Sequence, residues 1–358
     1  MKFIRKLLII VIILIFSLAF LTSVYYFEAN VYLKNELNTY KNTNKLICEE
    51  NNEKVKYIKT NAEYYFPLRS EDGSNEAYHP KVISFEEKWN GYKYWMTYSP
   101  FPKGNEKYEN PWIVASNDLL NWEEPEGIKN PVEGTPKNFV AKKIYNSDPH
   151  IFYNSDTDTL GLVFRFVDDV KHKAILYYMS SKDGVNWTDK VPLIETNRTK
   201  NDIISPSIIY EDGIYKMWYV EGNRTIKYTE STDLYNWSKA RVIKMSYYLK
   251  ELTTWHLDVI HTEKGYEMAI SAYKYWADRN SMNLYYSFST DNVNYSKAKT
   301  ILRPSNNGWD DKGIYRSSLL FENDMYYLFY SGQDVDQTRG IGLAYGKDIF
   351  DLKGIVKE

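Results

Sequence analysis

The chain has 358 residues, 43% hydrophobic and 26% charged, with a formal net charge of −2, a length that holds one large domain or two ordinary ones. No basic block lies beyond the extreme N-terminus, which argues against a nucleic-acid partner, because phosphate neutralisation needs a Lys/Arg surplus on one face. The only cysteine, Cys48, excludes an intrachain disulfide and any Cys-x-x-Cys metal or redox site.

In chain order, Lys2, Arg5 and Lys6 precede an uncharged run from Leu7 to Phe27. About 20 apolar residues at ~1.5 Å rise per residue cross a hydrocarbon core ~30 Å thick. The positive flank keeps its own end cytoplasmic, and Tyr25 and Tyr26 suit the opposite interface. Residues 1–27 therefore read as a transmembrane signal-anchor helix, with the rest of the chain outside the cell membrane. Ser17 and Ala19 leave open a cleaved secretory signal, in which case the remainder is secreted. Residues 28–75, rich in Asn, Lys and Glu, read as a polar stalk or capping segment with no chemistry of their own.

From residue 76 onward one unit recurs. It is marked by "SNDLLNW" (116–122), "SKDGVNW" (181–187), "STDLYNW" (231–237), "STDNVNY" (289–295) and a degenerate "GKDIFDL" (346–352). Ahead of each comes an apolar strand opened by a polar residue: "HPKVISF" at 79, "DPHIFY" at 148, "SPSIIY" at 205, "HLDVIH" at 256 and "RSSLLF" at 316. An aromatic-rich second strand and a third strand lie between, and a short fourth follows. Four short strands repeated radially specify an all-β, five-bladed β-propeller of four-stranded antiparallel blades. The blades are placed at about 76–131, 145–196, 203–245, 254–303 and 314–358. The heptad is architectural: its Asp caps a turn, and its aromatic residue fills the groove between blades. Asp118, Asp183, Asp233 and Asp291 are therefore not assigned to catalysis. The glycosylation-like triplets at Asn186, Asn236 and Asn294 fall inside the same turns.

This repeat, with a polar residue opening each inner strand, resembles the five-bladed glycoside hydrolases of families 43 and 32 and the arabinanase, levansucrase and invertase group. The resemblance covers residues 76–358. It implies an Asp opening blade one as base or nucleophile, an Asp before Pro in blade two that orients substrate, and a Glu opening blade three as acid. Those places hold His79, Asp148 and Ser205, so only Asp148 matches. Glycoside cleavage normally takes two carboxyl groups, one of them protonated, and Ser205 cannot be that acid. Loops between second and third strands rim the same funnel, and from them Glu221 ("YVEGN") and Glu109 ("YENPW") are the candidates for a relocated acid beside Asp148.

His79, His150, Ser205, His256, Asp258 and Arg316 sit on or beside the openings of inner strands, a set suited to gripping hydroxyl or carboxylate groups. Trp112 and Tyr273 are candidate sugar-stacking faces. No ligand spacing marks a metal, so no metal or cofactor is assigned, and a calcium ion on the propeller axis lacks support. The expected partner is a poly- or oligosaccharide. Three functions stay open: a membrane-anchored glycosidase with a rearranged acid/base pair, a non-catalytic carbohydrate-binding or cell-surface interaction propeller that has lost its hydrolytic carboxylates, or a purely structural protein–protein platform.

Overall fold

The computed structural model describes residues 61–356, so the apolar run Leu7–Phe27 and most of the stalk lie outside the described residues. Among the described residues no helix is long and apolar enough to cross a membrane. Five antiparallel sheets follow one another along the chain. Blade one contains β1 (Ala77–Trp89), β2 (Tyr92–Pro100) and β3 (Trp112–Ser116). Blade two contains β4 (Ile144–Asn154), β5 (Thr159–Asp168), β6 (Lys173–Ser181) and β7 (Val191–Asn197). Blade three contains β8 (Ile203–Glu211), β9 (Ile214–Glu221), β10 (Ile226–Ser231) and β11 (Arg241–Val242). Blade four contains β12 (Leu252–Thr262), β13 (Gly265–Lys274), β14 (Asn283–Ser289) and β15 (Lys299–Leu302). Blade five contains β16 (Gly313–Glu322), β17 (Met325–Gln333), β18 (Arg339–Gly346) and β19 (Lys353–Gly354). Blade one departs from the four-strand expectation: its fourth strand is reduced to a bridge between Ala115 and Glu123.

The inner strands close a ring, each touching the next in the cycle β1, β4, β8, β12, β16 and back to β1. Side chains stitch this ring where two inner strands cannot form a ladder. Ser205 Oγ accepts from the Leu257 N–H (3.2 Å), Ser207 Oγ from Val259 N–H (3.0 Å) and Ser318 Oγ from Val82 N–H (2.9 Å). His150 Nε2 accepts from Ile208 N–H (2.9 Å).

Outward from the ring, each pair of neighbouring blades encloses an apolar layer. Trp95, Ile113, Ile151, Leu162 and Phe164 fill the seam between blades one and two, and Trp218, Val259, Met268 and Ile270 that between three and four. The heptad turns behave as their sequence implies. Asp183 Oδ1 accepts from the N–H groups of Val185 (2.8 Å) and Asn186 (2.7 Å), and the Asn186 amide donates to Asp183 Oδ2 (2.8 Å). Trp187, whose Nε1 donates to Gly184 O (3.1 Å), packs into the seam with blade one. The closing seam between blades five and one also takes in part of the segment read as a stalk or cap. Ala62, Phe66 and Leu68 are buried there, with Glu63 N–H donating to Ile355 O (2.8 Å) and Phe66 N–H to Ile341 O (2.9 Å).

Candidate active site

The five inner strands share one irregularity. The β1–β2, β4–β5, β8–β9, β12–β13 and β16–β17 ladders each slip in register near the start of the inner strand, between Tyr78 and Lys81, Ser147 and His150, Ile204 and Ser207, Thr254 and His256, and Ile314 and Ser317. In the first three blades the slip holds His79, Asp148 and Ser205 at φ of 54°, 52° and 51°, each followed by proline. Side chains other than glycine take this left-handed conformation only at a cost, and such strain collects at functional sites. A bulge also re-aims side chains, and here it breaks the period of two that would otherwise set their direction.

These bulges bring His79, Asp148 and His256 together. One ligand atom from each lies within 4.8 Å of the others, and all three residues are buried. His256 Nδ1 is 3.5 Å from Asp148 Oδ1. Arg316 Nη1 stands 3.6 Å from the same oxygen, and Arg165 Nη1 is 3.9 Å from Oδ2. Arg165 is held from behind by Asp202, which also pairs with Arg198 (2.8 Å). Ser99 Oγ is hydrogen-bonded to His79 Nδ1 (2.8 Å) and fixes that ring. Neither ring nitrogen of His256 has a hydrogen-bond partner, although both are sealed from solvent. Burial drives both imidazoles well below their usual pKa; the Asp148 charge opposes this at His79, and the neighbouring guanidinium groups reinforce it at His256. Two neutral imidazoles and a carboxylate with no internal partners for His256 form a donor set that fits a divalent cation.

Glu109 is the second carboxyl group of the site. It ends a short 3-10 turn, Glu106–Tyr108, in the β2–β3 loop, and its Oε1 is 3.6 Å from His79 Nδ1. Burial, then the Asp148 charge, push its pKa well above the ordinary carboxylate range. Asn110 pins this loop, donating to Lys107 O (3.0 Å) and accepting from the Asn146 amide (3.0 Å). Tyr315 walls the pair of imidazoles, its ring centroid 4.6 Å from that of His256 and 5.4 Å from that of His79.

The other candidates fall elsewhere. Glu221 ends β9 and pairs with Lys227 (3.5 Å), apart from the contacts around Asp148. Ser205 lies beside Asp148, its N–H donating to Oδ2 (3.4 Å), but its hydroxyl is spent on the Leu257 backbone. His150 is likewise committed to Ile208, and Asp258 to Lys81 (2.7 Å). Trp112 is a correction: as the first residue of β3 it is fully buried in the seam with blade five, so no sugar can reach its face. Tyr273, at the end of β13, is half-buried with its ring 6.3 Å from Trp255. Sequence reasoning passed over Arg165, Ser99, Trp255 and Tyr315. Trp255 and Tyr315 each directly precede a strand-opening residue, and that shared place was the available signal.

No family model matches the sequence. A protein of Flavonifractor plautii described as an A type blood N-acetyl-alpha-D-galactosamine deacetylase is 29% identical, over 72% of this chain and 40% of its own length. The chain thus spans less than half of that curated relative. The crystal structure of an N-acetylgalactosamine deacetylase from F. plautii, in complex with blood group B trisaccharide, superposes with a TM-score of 0.69 at 25% identity, covering 81% of this chain and 94% of that one. A thermostable family-43 glycoside hydrolase gives 0.55 at 16% identity, covering 84% and 96%. Ring closure, blade count and these superpositions agree, and the chain has the five-bladed propeller fold of the family-43 glycoside hydrolases.

Proposed function

We propose that this protein is a glycan hydrolase that removes the N-acyl group of an amino sugar in the funnel where the five inner strands open. It works from the outer face of a membrane to which residues 1–27 anchor it. The observation that carries the reading is the convergence of His79, Asp148 and His256 within 4.8 Å, with both His256 nitrogens buried and unpartnered. Hydrolysis of a glycosidic bond by two carboxyl groups has no use for such a grouping. Similarity to the F. plautii deacetylase supports it.

His79, Asp148 and His256 would hold a divalent cation, which when bound polarises an amide carbonyl and lowers the pKa of the attacking water. Ser99 orients the His79 ring, as partners of metal-binding histidines do. Arg165 and Arg316 hold the Asp148 carboxylate between them. Glu109 takes a proton from the attacking water on a carboxylate oxygen and returns it to the departing amine nitrogen. Its raised pKa brings it toward the working pH for both transfers. Tyr315 and Phe101 flank the His79 ring and keep bulk water from it.

One observation favours a second reading. Glu109, with its pKa raised, and Asp148, flanked by two guanidinium groups, are also an acid and a carboxylate of the kind that cleaves glycosidic bonds.

The test uses the full-length chain in detergent, stripped with a chelator and reloaded with Zn²⁺ or Mn²⁺. It is incubated with oligosaccharides ending in N-acetylgalactosamine or N-acetylglucosamine, and acetate and reducing ends are measured separately. Acetate release that needs the metal and disappears in His256→Ala supports the deacetylase. Reducing ends without acetate establish the second reading, and binding without either product refutes both.

A further inference from the structure

Beside the imidazole pair, the funnel gathers positive charge that the chemistry above does not use. Trp255, next to His256 in β12, has its ring fixed by a hydrogen bond from Nε1 to Tyr315 Oη (2.7 Å). Two guanidinium groups stack on that ring, Arg224 with its Cζ 4.0 Å from the centroid and Arg279 with its Cζ at 4.4 Å. They come from different blades: Arg224 from the β9–β10 turn, where it is held at φ 73°, and Arg279 from the β13–β14 loop.

Among the described residues neither has a carboxylate within ion-pair distance. Asp278, adjacent to Arg279 in sequence, is taken by Lys312 (3.2 Å). Arg224 Nη1 is sealed from solvent without a hydrogen-bond partner. Burying guanidinium groups this way is costly unless something brings them an anion. Arginine's planar fork suits a two-oxygen anion, which it binds in bidentate fashion.

We infer that the glycan this site accepts is acidic, with Arg224 and Arg279 on Trp255 binding a carboxylate, sulfate or phosphate carried by the sugar. The inference rests on the reading of the funnel as a glycan site and names its substrate class. Trp255 carries both guanidinium groups on its ring, and their N–H groups take the oxyanion. Burial lowers the Arg224 pKa, and the Arg279 charge lowers it further. A neutral glycan would leave that repulsion in place.

The experiment measures binding, so it does not depend on turnover. Full-length protein in detergent is titrated calorimetrically with four probes: N-acetylgalactosamine, its 6-sulfate, its 6-phosphate, and the disaccharide it forms with glucuronic acid. The acidic sugars bind at least about tenfold more tightly than the neutral one, the effect of one charge-assisted contact. Which of the three binds best identifies the oxyanion. Arg224→Gln/Arg279→Gln abolishes the preference while leaving affinity for N-acetylgalactosamine unchanged. Arg279 is exposed, so Arg279→Glu alone keeps the fold and weakens only the acidic probes. Equal affinity for neutral and acidic sugars in the native protein, or a preference that survives both variants, overturns the inference. Preferential binding of acidic sugars without acetate release would sustain it while defeating the deacetylase reading.

Discussion

Lys81 Nζ lies 2.7 Å and 2.9 Å from the two carboxylate oxygens of Asp258, a buried pair that ties blade one to blade four across the inner ring. Asp258 also accepts from Ser207 Oγ (3.1 Å) and Leu319 N–H (2.9 Å), so one carboxylate joins four blades. Removing one member of such a pair strands the other as a buried charge, at a cost of about 3–5 kcal/mol. Lys81→Met is expected to lower the urea midpoint accordingly, and Lys81→Met/Asp258→Leu to regain part of that loss. A double variant no more stable than Lys81→Met would contradict this reading.

Activity is expected to depend on Glu109 and His256 through different steps. Glu109→Gln removes the proton carrier and lowers turnover by about 10²–10⁴-fold. Metal content, read by elemental analysis of the reloaded protein, stays at the native level. His256→Ala lowers both metal content and turnover. A Glu109→Gln protein that keeps native turnover would remove Glu109 from the mechanism.

Gly184 separates two reasons for glycine in a turn. The fourth heptad position is left-handed in four blades, with φ of 67° at Leu119, 74° at Gly184, 70° at Leu234 and 63° at Asn292. The conformation therefore does not require glycine. At Gly184, however, an added Cβ would stand 2.2 Å from the Trp95 ring, which occupies that space in the seam. Gly184→Ala is expected to cost about 1–3 kcal/mol by overpacking on top of the backbone strain. Gly213→Ala, at φ 76° with nothing within 4 Å, suffers the strain alone. Denaturation midpoints of the two variants check the order.

The heptad turns set an acid limit on stability. At Asp183 burial pulls the pKa up, but hydrogen bonds from Asn186, Val185 and Ser181 outweigh it and bring the carboxyl from 3.8 to about 2. Asp118 is held at about 2 in the same way. A carboxyl whose pKa is lower in the folded state stabilises above its unfolded value, and the contribution is lost as pH falls through the folded one. The advantage of native protein over Asp183→Asn is therefore full above pH 4 and shrinks between pH 4 and about 2. Thermal unfolding of both proteins across that range measures it, and a constant difference would contradict the assignment.

The five heptads, read locally, were enough to count the blades, because turn chemistry and strand alternation act within a few residues. They also placed His79, Asp148, His256 and Arg316 at equivalent strand openings, and Glu109 in a loop facing the same way. Blade one was less legible, since the span after its heptad makes only the Ala115–Glu123 bridge. The pull of Phe66 into the closing seam was also hidden, because its contacts with Phe329 and Ile341 lie on blade five, hundreds of residues away.

What the amino-acid sequence determined by itself is the repeat, hence the propeller, and the place of Asp148 at the opening of blade two. What only the tertiary structure decided is which polar residues meet. The bulges turn His79 and Asp148 out of regular strand geometry, and closure of the ring then carries His256 from blade four to within 3.5 Å of Asp148 in blade two. Trp112, Asp258 and Glu221 were equally plausible by position, yet a seam, an ion pair with Lys81 and one with Lys227 claimed them. Local patterns set where a side chain starts, whereas the partners it finds depend on strands brought together only when the ring closes.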